Sequence, residues 1–175
     1  MATIYLRELK NDDLACINVW RNDREVVKLL GANFLYISLV VDEQWLASYL
    51  NSRASSVRLA IVTIASDLCI GIVNLTNMQI VNRSAEFSIM LGDKEYWSKG
   101  IGYEAASQMI NHGFYDLNLH RIYLTVLTEN VRAQQLYRRL RFKEEGVQRE
   151  AVYKEGKYHD LVTMALLKSE IDEKK

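Results

Sequence analysis

Proline is absent from all 175 residues, and no functional reading attaches to that absence. Excess charge of either sign is absent too: 22 basic residues balance 22 acidic ones. No global field therefore recruits nucleic acid or an anionic membrane surface. Cysteine is scarce. Cys16 and Cys69 lie far apart in the sequence and match neither a metal-ligand spacing nor a redox pair, so a reduced, cytoplasmic setting is expected. His112, His120 and His159 are likewise spaced as no metal site, and no metal is expected. The N-terminus lacks the apolar core of a signal peptide, and no apolar run approaches membrane-spanning length. What is present is the composition of an ordinary globular domain: 49% hydrophobic, 25% charged and 10% aromatic residues. The length suits one domain, 1–175, with a substantial core, and the charged end 169–175 reads as a frayed tail.

The periodicities predict a mixed order of elements. Residues 3–7 alternate and are rich in β-formers, so they read as a first strand. A helix capped by Asn11 or Asp12 runs to about Trp20, and residues 24–30 add a turn or short helix. Residues 31–41 are aromatic and β-branched but irregular. Asp42-Glu43-Gln44 opens a second helix whose Trp45, Leu46, Tyr49 and Leu50 share a face. Three antiparallel strands follow at 57–65, 69–76 and 85–91, then a helix from the glycine turn at 100–102 and a strong strand at 120–128. Residues 131–140 are helical. Strands at 142–152 and 161–167 flank a hairpin turn at Glu155-Gly156-Lys157.

One stretch organises the rest: Tyr96-Trp97-Ser98-Lys99-Gly100-Ile101-Gly102-Tyr103-Glu104-Ala105-Ala106. Apolar or small residues then recur at Ala105, Ala106, Met109, Ile110, Gly113, Phe114 and Leu117, one face of a helix. A glycine turn feeding a helix leaves several backbone N–H groups without intrahelical partners, at the positive end of the helix dipole. Such an end is a ready phosphate site, and a Cβ would block close approach to the backbone. Lys99 adds a cation. The alternative is that these glycines only turn the chain.

Gly100-Ile101-Gly102-Tyr103-Glu104-Ala105 also matches the dinucleotide fingerprint, with Glu129 at about the distance of a ribose contact. The context opposes that reading. Polar residues 92–95 and the aromatic pair Tyr96-Trp97 separate the first glycine from its strand, and most neighbouring strands read as antiparallel.

With the elements in place the chain resembles the GNAT N-acetyltransferase family, specifically its RimJ/RimL-like branch. The resemblance is carried by Trp20-Arg21-Asn22-Asp23, Ala85-Glu86-Phe87, the glycine turn, and Asn118-Leu119-His120-Arg121-Ile122. It continues through Asn130, Ala133, Leu136-Tyr137, Phe142, Glu145-Gly146 and Asp160. It implies an α+β fold: a mostly antiparallel sheet of about seven strands, flanked by about four helices, with a splayed strand pair admitting acetyl-CoA. On that reading the backbone of Ser88, Ile89 and Met90 contacts the acyl and pantetheine part. Lys99, Gly100, Ile101, Gly102, Tyr103 and Glu104 cradle the diphosphate, and Asn130, Ala133 and Tyr137 line the other side. The chain departs from the family's strict pattern at Trp97, where Gln or Arg begins the turn but Trp is common in this branch, and at Arg141, where the branch usually has Gly.

Acetyl transfer to an amine needs a neutral amine, a polarised carbonyl and a proton for the departing thiolate. Glu86, in an otherwise apolar strand, is the expected base, because partial burial would raise its pKa. The alternative for Glu86 is an outward, solvated glutamate or a partner for Arg83. Tyr137 is the acid that the resemblance implies, and backbone N–H groups near Met90 would polarise the carbonyl. Cys69 as an acyl-carrying nucleophile is disfavoured, because no base adjoins it in sequence. Direct attack in a ternary complex is therefore expected. For the amine acceptor, Arg21, Phe34 and Tyr36 are the candidate contacts, suited to a peptide terminus or a sugar nucleotide. A polyamine is disfavoured because residues 31–41 carry no carboxylate. The protein is expected to be a monomer or homodimer. A CoA-binding sensor of the same fold, without turnover, is the alternative to an enzyme.

Overall fold

A computed structural model describes residues 3–172 and arranges them around a seven-stranded sheet. The strands are β1 (Ile4–Glu8), β2 (Val57–Thr63), β3 (Cys69–Gln79), β4 (Ser84–Leu91), β5 (Arg121–Leu127), β6 (Lys143–Lys154) and β7 (Lys157–Leu167). Their spatial order is β1-β2-β3-β4-β5-β7-β6. β4 and β5 are parallel, and every other neighbouring pair is antiparallel. The helices are α1 (Leu14–Arg21), α2 (Arg24–Lys28), α3 (Leu39–Asn51), α4 (Ile101–Asn111), α5 (Val131–Arg139) and α6 (Ser169–Asp172). This is the α+β sheet that the sequence implied, with one parallel pair where a dinucleotide fold needs several.

Two cores form because a strand shows alternate side chains to opposite faces. Ala60, Val62, Ile72 and Met90 meet Leu14, Ile17, Trp20, Val26, Leu46 and Tyr49 of α1–α3. Ile61, Val73, Leu75, Ala85 and Phe87 meet Ile101, Ala105, Ala106, Met109 and Ile110 of α4, with Tyr137 of α5. Gly92 lets α1 close on the end of β4, since a Cβ there would lie 1.9 Å from Cδ2 of Trp20. The β6–β7 hairpin turns through Glu155 (φ 50°) and Gly156 (φ 82°), both left-handed, as a two-residue turn requires.

Three elements differ from the sequence reading. α3 starts at Leu39 rather than Asp42, because Leu39, Val40 and Val41 spend their apolar side chains on solvent and mask the helical period. α4 runs on into a π-turn over His112–Asp116, closed by Leu117 N–H donating to His112 O at 3.1 Å. Where a frayed tail was expected, Ser169–Asp172 form a helical turn held by Glu170, which pairs with Lys143 at 2.5 Å and accepts from Leu167 N–H at 2.9 Å. Residues 173–175 of that tail lie outside the described residues. Among the described residues no helix is long and apolar enough to cross a membrane.

Candidate active site

The parallel pair β4–β5 is joined at only three positions, Ser84↔Arg121, Ala85↔Ile122 and Glu86↔Tyr123. Beyond Glu86 the strands part: β4 stays with β3 through Leu91, and β5 stays with β7 through Leu127. The backbone groups of residues 87–91 that would have faced β5 are left without a strand partner, which no buried sheet interior tolerates unless something else pairs with them. Two cavities of about 520 and 530 Å³ open on either side of this fork. They share Leu29, Leu30, Ile89, Met90, Asn130, Ala133 and Leu136, so they adjoin at the fork.

The first cavity ends on the glycine turn. Gly100 holds φ 82°, a left-handed conformation that favours glycine, and begins α4 with no side-chain cap. Tyr103 and Glu104 N–H donate to Gly100 O at 3.0 and 3.2 Å. The N–H groups of Ile101 and Gly102, at the first two helical positions, precede any intrahelical acceptor, and both residues line the cavity end. Gly100, Ile101, Gly102 and Tyr103 all line this cavity, as do Ser98 and Trp97. Trp97 is fixed by its indole N–H donating to Leu91 O at 2.8 Å, which ties the turn to the end of β4. A Cβ on Gly102 would reach Leu136 at 3.6 Å and Leu91 at 3.8 Å across the cavity. These features fit a diphosphate lying on the turn.

Two residues assigned to that cradle stand elsewhere. Glu104 points away and accepts from Thr3 N–H (2.8 Å), Ile4 N–H (3.2 Å) and Thr3 Oγ1 (2.6 Å), fastening β1 to α4. Burial opposes its charge, but these three donors outweigh it and hold its carboxyl below the usual range. Lys99 lies outside the cavity wall, its Nζ 5.4 Å from the centre of the Tyr96 ring. The cations of the wall are instead Lys28, Arg132 and Arg139, the last with its guanidinium 4.9 Å from the Tyr103 ring centre. Nothing in the sequence singled these out beyond the basic run of α5.

Asn130 is structural as well as lining. Its Oδ1 accepts from Ala133 N–H at 3.1 Å and caps α5, and its Nδ2 donates to Leu29 O at 2.9 Å. It thereby ties the β5–α5 corner to the end of α2, where the two cavities adjoin.

The second cavity lies over the face of β4 that carries Glu86, Ser88 and Met90. Ser88 lines this cavity alone, whereas Ile89 and Met90 line both. Glu86 is half-buried and accepts from Asn77 Nδ2 at 2.7 Å; no bond to Arg83, its alternative partner, forms. Arg21 is in the wall, paired to the fully buried Asp42, which Asn18 Nδ2 also bonds at 2.7 Å. Phe34 and Tyr36 are not in the wall. The alternate residues Asn33, Leu35 and Ile37 face the cavity, while Phe34 and Tyr36 stack edge-to-face at 5.2 Å and take the Arg24 guanidinium 4.2 Å from the Phe34 ring centre. The loop is held from outside by Lys154, whose buried amine donates to Val27 O (2.8 Å) and Leu30 O (2.6 Å). Burial pushes that amine below its usual pKa. Lys154, Asp42, Arg58 and Asn74 were not found by sequence reasoning, because each acts through residues distant in the chain.

Tyr137 lines the second cavity among Phe87 and Phe142, with ring centres 6.2 and 5.9 Å away. Its side chain is 7% exposed, and burial alone pushes its hydroxyl up to about 12. Cys69 is no nucleophile: contact with Cys16 and then burial raise its thiol, which donates to Gly71 O. His159 bonds Glu129 at 2.7 Å, so the acid of the discarded dinucleotide reading is a hairpin partner. Arg141 does adopt the left-handed conformation of the usual glycine, at φ 70°, and its Nη1 donates to Glu170 O at 3.0 Å.

Comparison with known proteins agrees with this geometry. Residues 3–143 match the family model described as acetyltransferase (GNAT) domain. A spermidine N(1)-acetyltransferase from Vibrio cholerae is 32% identical over 94% of this chain and 92% of its own length. A putative ribosomal N-acetyltransferase from Bacillus subtilis is 37% identical over 59% of this chain and 55% of its own. The crystal structure of spermidine N-acetyltransferase from Vibrio cholerae in complex with CoA and spermine superposes with a TM-score of 0.89 at 30% identity, covering 95% of this chain and 96% of that one. The chain therefore belongs to the GNAT acetyltransferase family, as an acyltransferase whose co-substrate is acetyl-CoA.

Proposed function

We propose that this enzyme acetylates a primary amine by direct attack, with acetyl-CoA in the first cavity and the amine entering through the second. The observation that carries this reading is the fork at Glu86, where the two cavities meet over unpaired β4 backbone. When bound, acetyl-CoA supplies an activated acetyl thioester. Ile101 and Gly102 N–H groups and the cations Lys28, Arg132 and Arg139 bind its phosphates. Unpaired β4 N–H groups near Met90 polarise the carbonyl. Glu86 takes a proton from the incoming ammonium, directly or through water, since an alkyl ammonium titrates near ~10.4.

Tyr137 stays protonated throughout the working range, the state a donor needs. A hydroxyl at about 12 cannot fully give its proton to a thiolate that ordinarily titrates near ~8.5. Its role is therefore to donate a hydrogen bond to the departing sulfur, and the net proton comes from the ammonium.

Placement in the RimJ/RimL-like branch belongs to the same proposal, with the ribosomal N-acetyltransferase-like relative in its support. A polyamine acceptor is the second reading, favoured by the spermidine enzymes among the relatives. It meets an obstacle in this chain. Among the described residues Glu86 is the single carboxylate in the second cavity's wall, which also carries Arg58 and the Asp42-paired Arg21.

The test is release of free CoA thiol from acetyl-CoA with a panel of primary amines, with mass detection of the acetylated product. Thiol release that depends on an amine supports the reading. Acetyl-CoA binding with no amine-dependent release from any of them would make the protein a sensor instead.

A further inference from the structure

Arg58 occupies the second cavity without a counter-charge. It belongs to β2, and its register partner on β3 is Asn74, whose own partner on β4 is Ser88. The three therefore make a polar rung across the sheet on the face that also carries Glu86, one step further along β4. Within the rung, Asn74 Nδ2 donates to Ser88 Oγ at 3.1 Å. Asn74 Oδ1 and Arg58 Nε are both buried with no hydrogen-bond partner. The Arg58 guanidinium lies 5.2 Å from the Trp45 ring centre and 5.9 Å from that of Tyr49. No carboxylate among the described residues pairs with it, whereas Arg21 nearby is neutralised by Asp42. Burial holds Arg58 below its usual pKa, with Tyr49 opposing and the charge of Arg21 adding to the shift.

The unpaired Arg58 Nε is a donor that a ligand's anionic oxygen would satisfy, and the unpaired Asn74 Oδ1 is an acceptor for a ligand O–H or N–H beside it. Arginine's planar fork matches a carboxylate or a phosphate in two parallel bonds. A polycation entering the same cavity would meet Arg58 with only Glu86 to receive it.

We propose that the acceptor is a small primary amine carrying a separate carboxylate or phosphate group, and that Arg58 binds that anion while the amine lies at Glu86. This rests on the acetyltransferase reading above and adds the acceptor's second charge. Arg58 is on this account a specificity residue: it selects the acceptor and takes no part in proton transfer.

The experiment compares glucosamine 6-phosphate, glutamate, glucosamine and spermidine as acceptors for wild-type enzyme, Arg58→Gln and Arg58→Lys. A phosphate or carboxylate amine should exceed glucosamine and spermidine in kcat/KM by at least about tenfold, and which of the two leads identifies the anion. Arg58→Gln should raise KM for that acceptor at least about tenfold and change kcat less than about threefold, with Arg58→Lys recovering part of the loss. A preference for spermidine, or an unchanged KM in Arg58→Gln, would overturn the proposal. An independent arm uses inorganic pyrophosphate with the first cavity saturated by CoA. Binding to wild type that Arg58→Gln abolishes supports the anion site even if acetyl transfer itself fails. No binding to wild type, or equal binding to both, overturns it.

Discussion

Replacing Tyr137 by phenylalanine should make the protein slower and more stable at once. The residue is buried, its ring packs against Phe87 and Phe142, and burial is the one cause that raises its hydroxyl, which no other described residue bonds. Removing the hydroxyl should stabilise by up to about 1 kcal/mol, because its desolvation in the fold disappears while the ring's contacts with Phe87 and Phe142 remain. For a chain of this size that is a rise of roughly 2–4 °C in Tm. The pH dependence has a definite sign. A phenol at about 12 in the fold and 10.0 unfolded is held neutral by folding, so its contribution is intact below pH 10 and is lost as pH rises through 12. That interval corresponds to roughly 3 kcal/mol, which Tyr137→Phe should not lose. Catalysis should respond oppositely, with kcat falling about 100-fold as the donor to the departing sulfur is removed. Acetyl-CoA binding should be unchanged. Thermal melts from pH 7 to 11 and steady-state thiol release measure both. A kcat within about threefold of wild type would refute the role given to Tyr137, and a lower Tm would refute the burial argument.

Further outcomes follow from the same geometry. Glu86→Gln keeps the bond to Asn77 in altered form but cannot accept a proton, so kcat should fall about 100-fold with the KM for acetyl-CoA unchanged, read by steady-state kinetics. Gly92→Ala forces a Cβ into the Trp20 ring and should destabilise by about 1–3 kcal/mol, read as a lower urea midpoint with unchanged slope. Lys154→Met leaves the carbonyls of Val27 and Leu30 without their donor. It should cost about 1–3 kcal/mol and raise the KM for the acceptor more than that for acetyl-CoA, because the loop it holds walls only the second cavity beyond Leu30.

The glycine turn was legible because Gly100 and Gly102 act through their own backbone, and the helix that follows announces itself by local periodicity. The strands were legible for the same reason, since alternation is local, and even the left-handed residue at Arg141 showed as a departure at one position. What sequence reasoning missed depends on pairing across the sheet. Arg58 reads as a polar residue at the start of a strand, and only the register Arg58↔Asn74↔Ser88 puts it in the wall of the second cavity. Asp42 reads as a helix-opening acid, yet it is fully buried against Arg21 because α3 begins a turn earlier. Phe34 and Tyr36 were chosen for their chemistry, but the alternation of the loop sends their neighbours inward. Glu104 sits inside the motif and serves β1 instead, a contact across about a hundred residues that no local pattern encodes.

The account depends most on the claim that the glycine turn holds the phosphates of acetyl-CoA. Titration of acetyl-CoA into wild-type protein and Gly102→Val, by calorimetry, tests it directly. The added side chain would stand in the first cavity between Leu136 and Leu91, over the free N–H groups of the helix start. One-to-one binding to wild type, weakened at least about tenfold (~1.4 kcal/mol) in a variant whose fold is intact by circular dichroism, is the expected result. Equal affinity in the two proteins would contradict the assignment and leave the turn as a connection between β4 and α4.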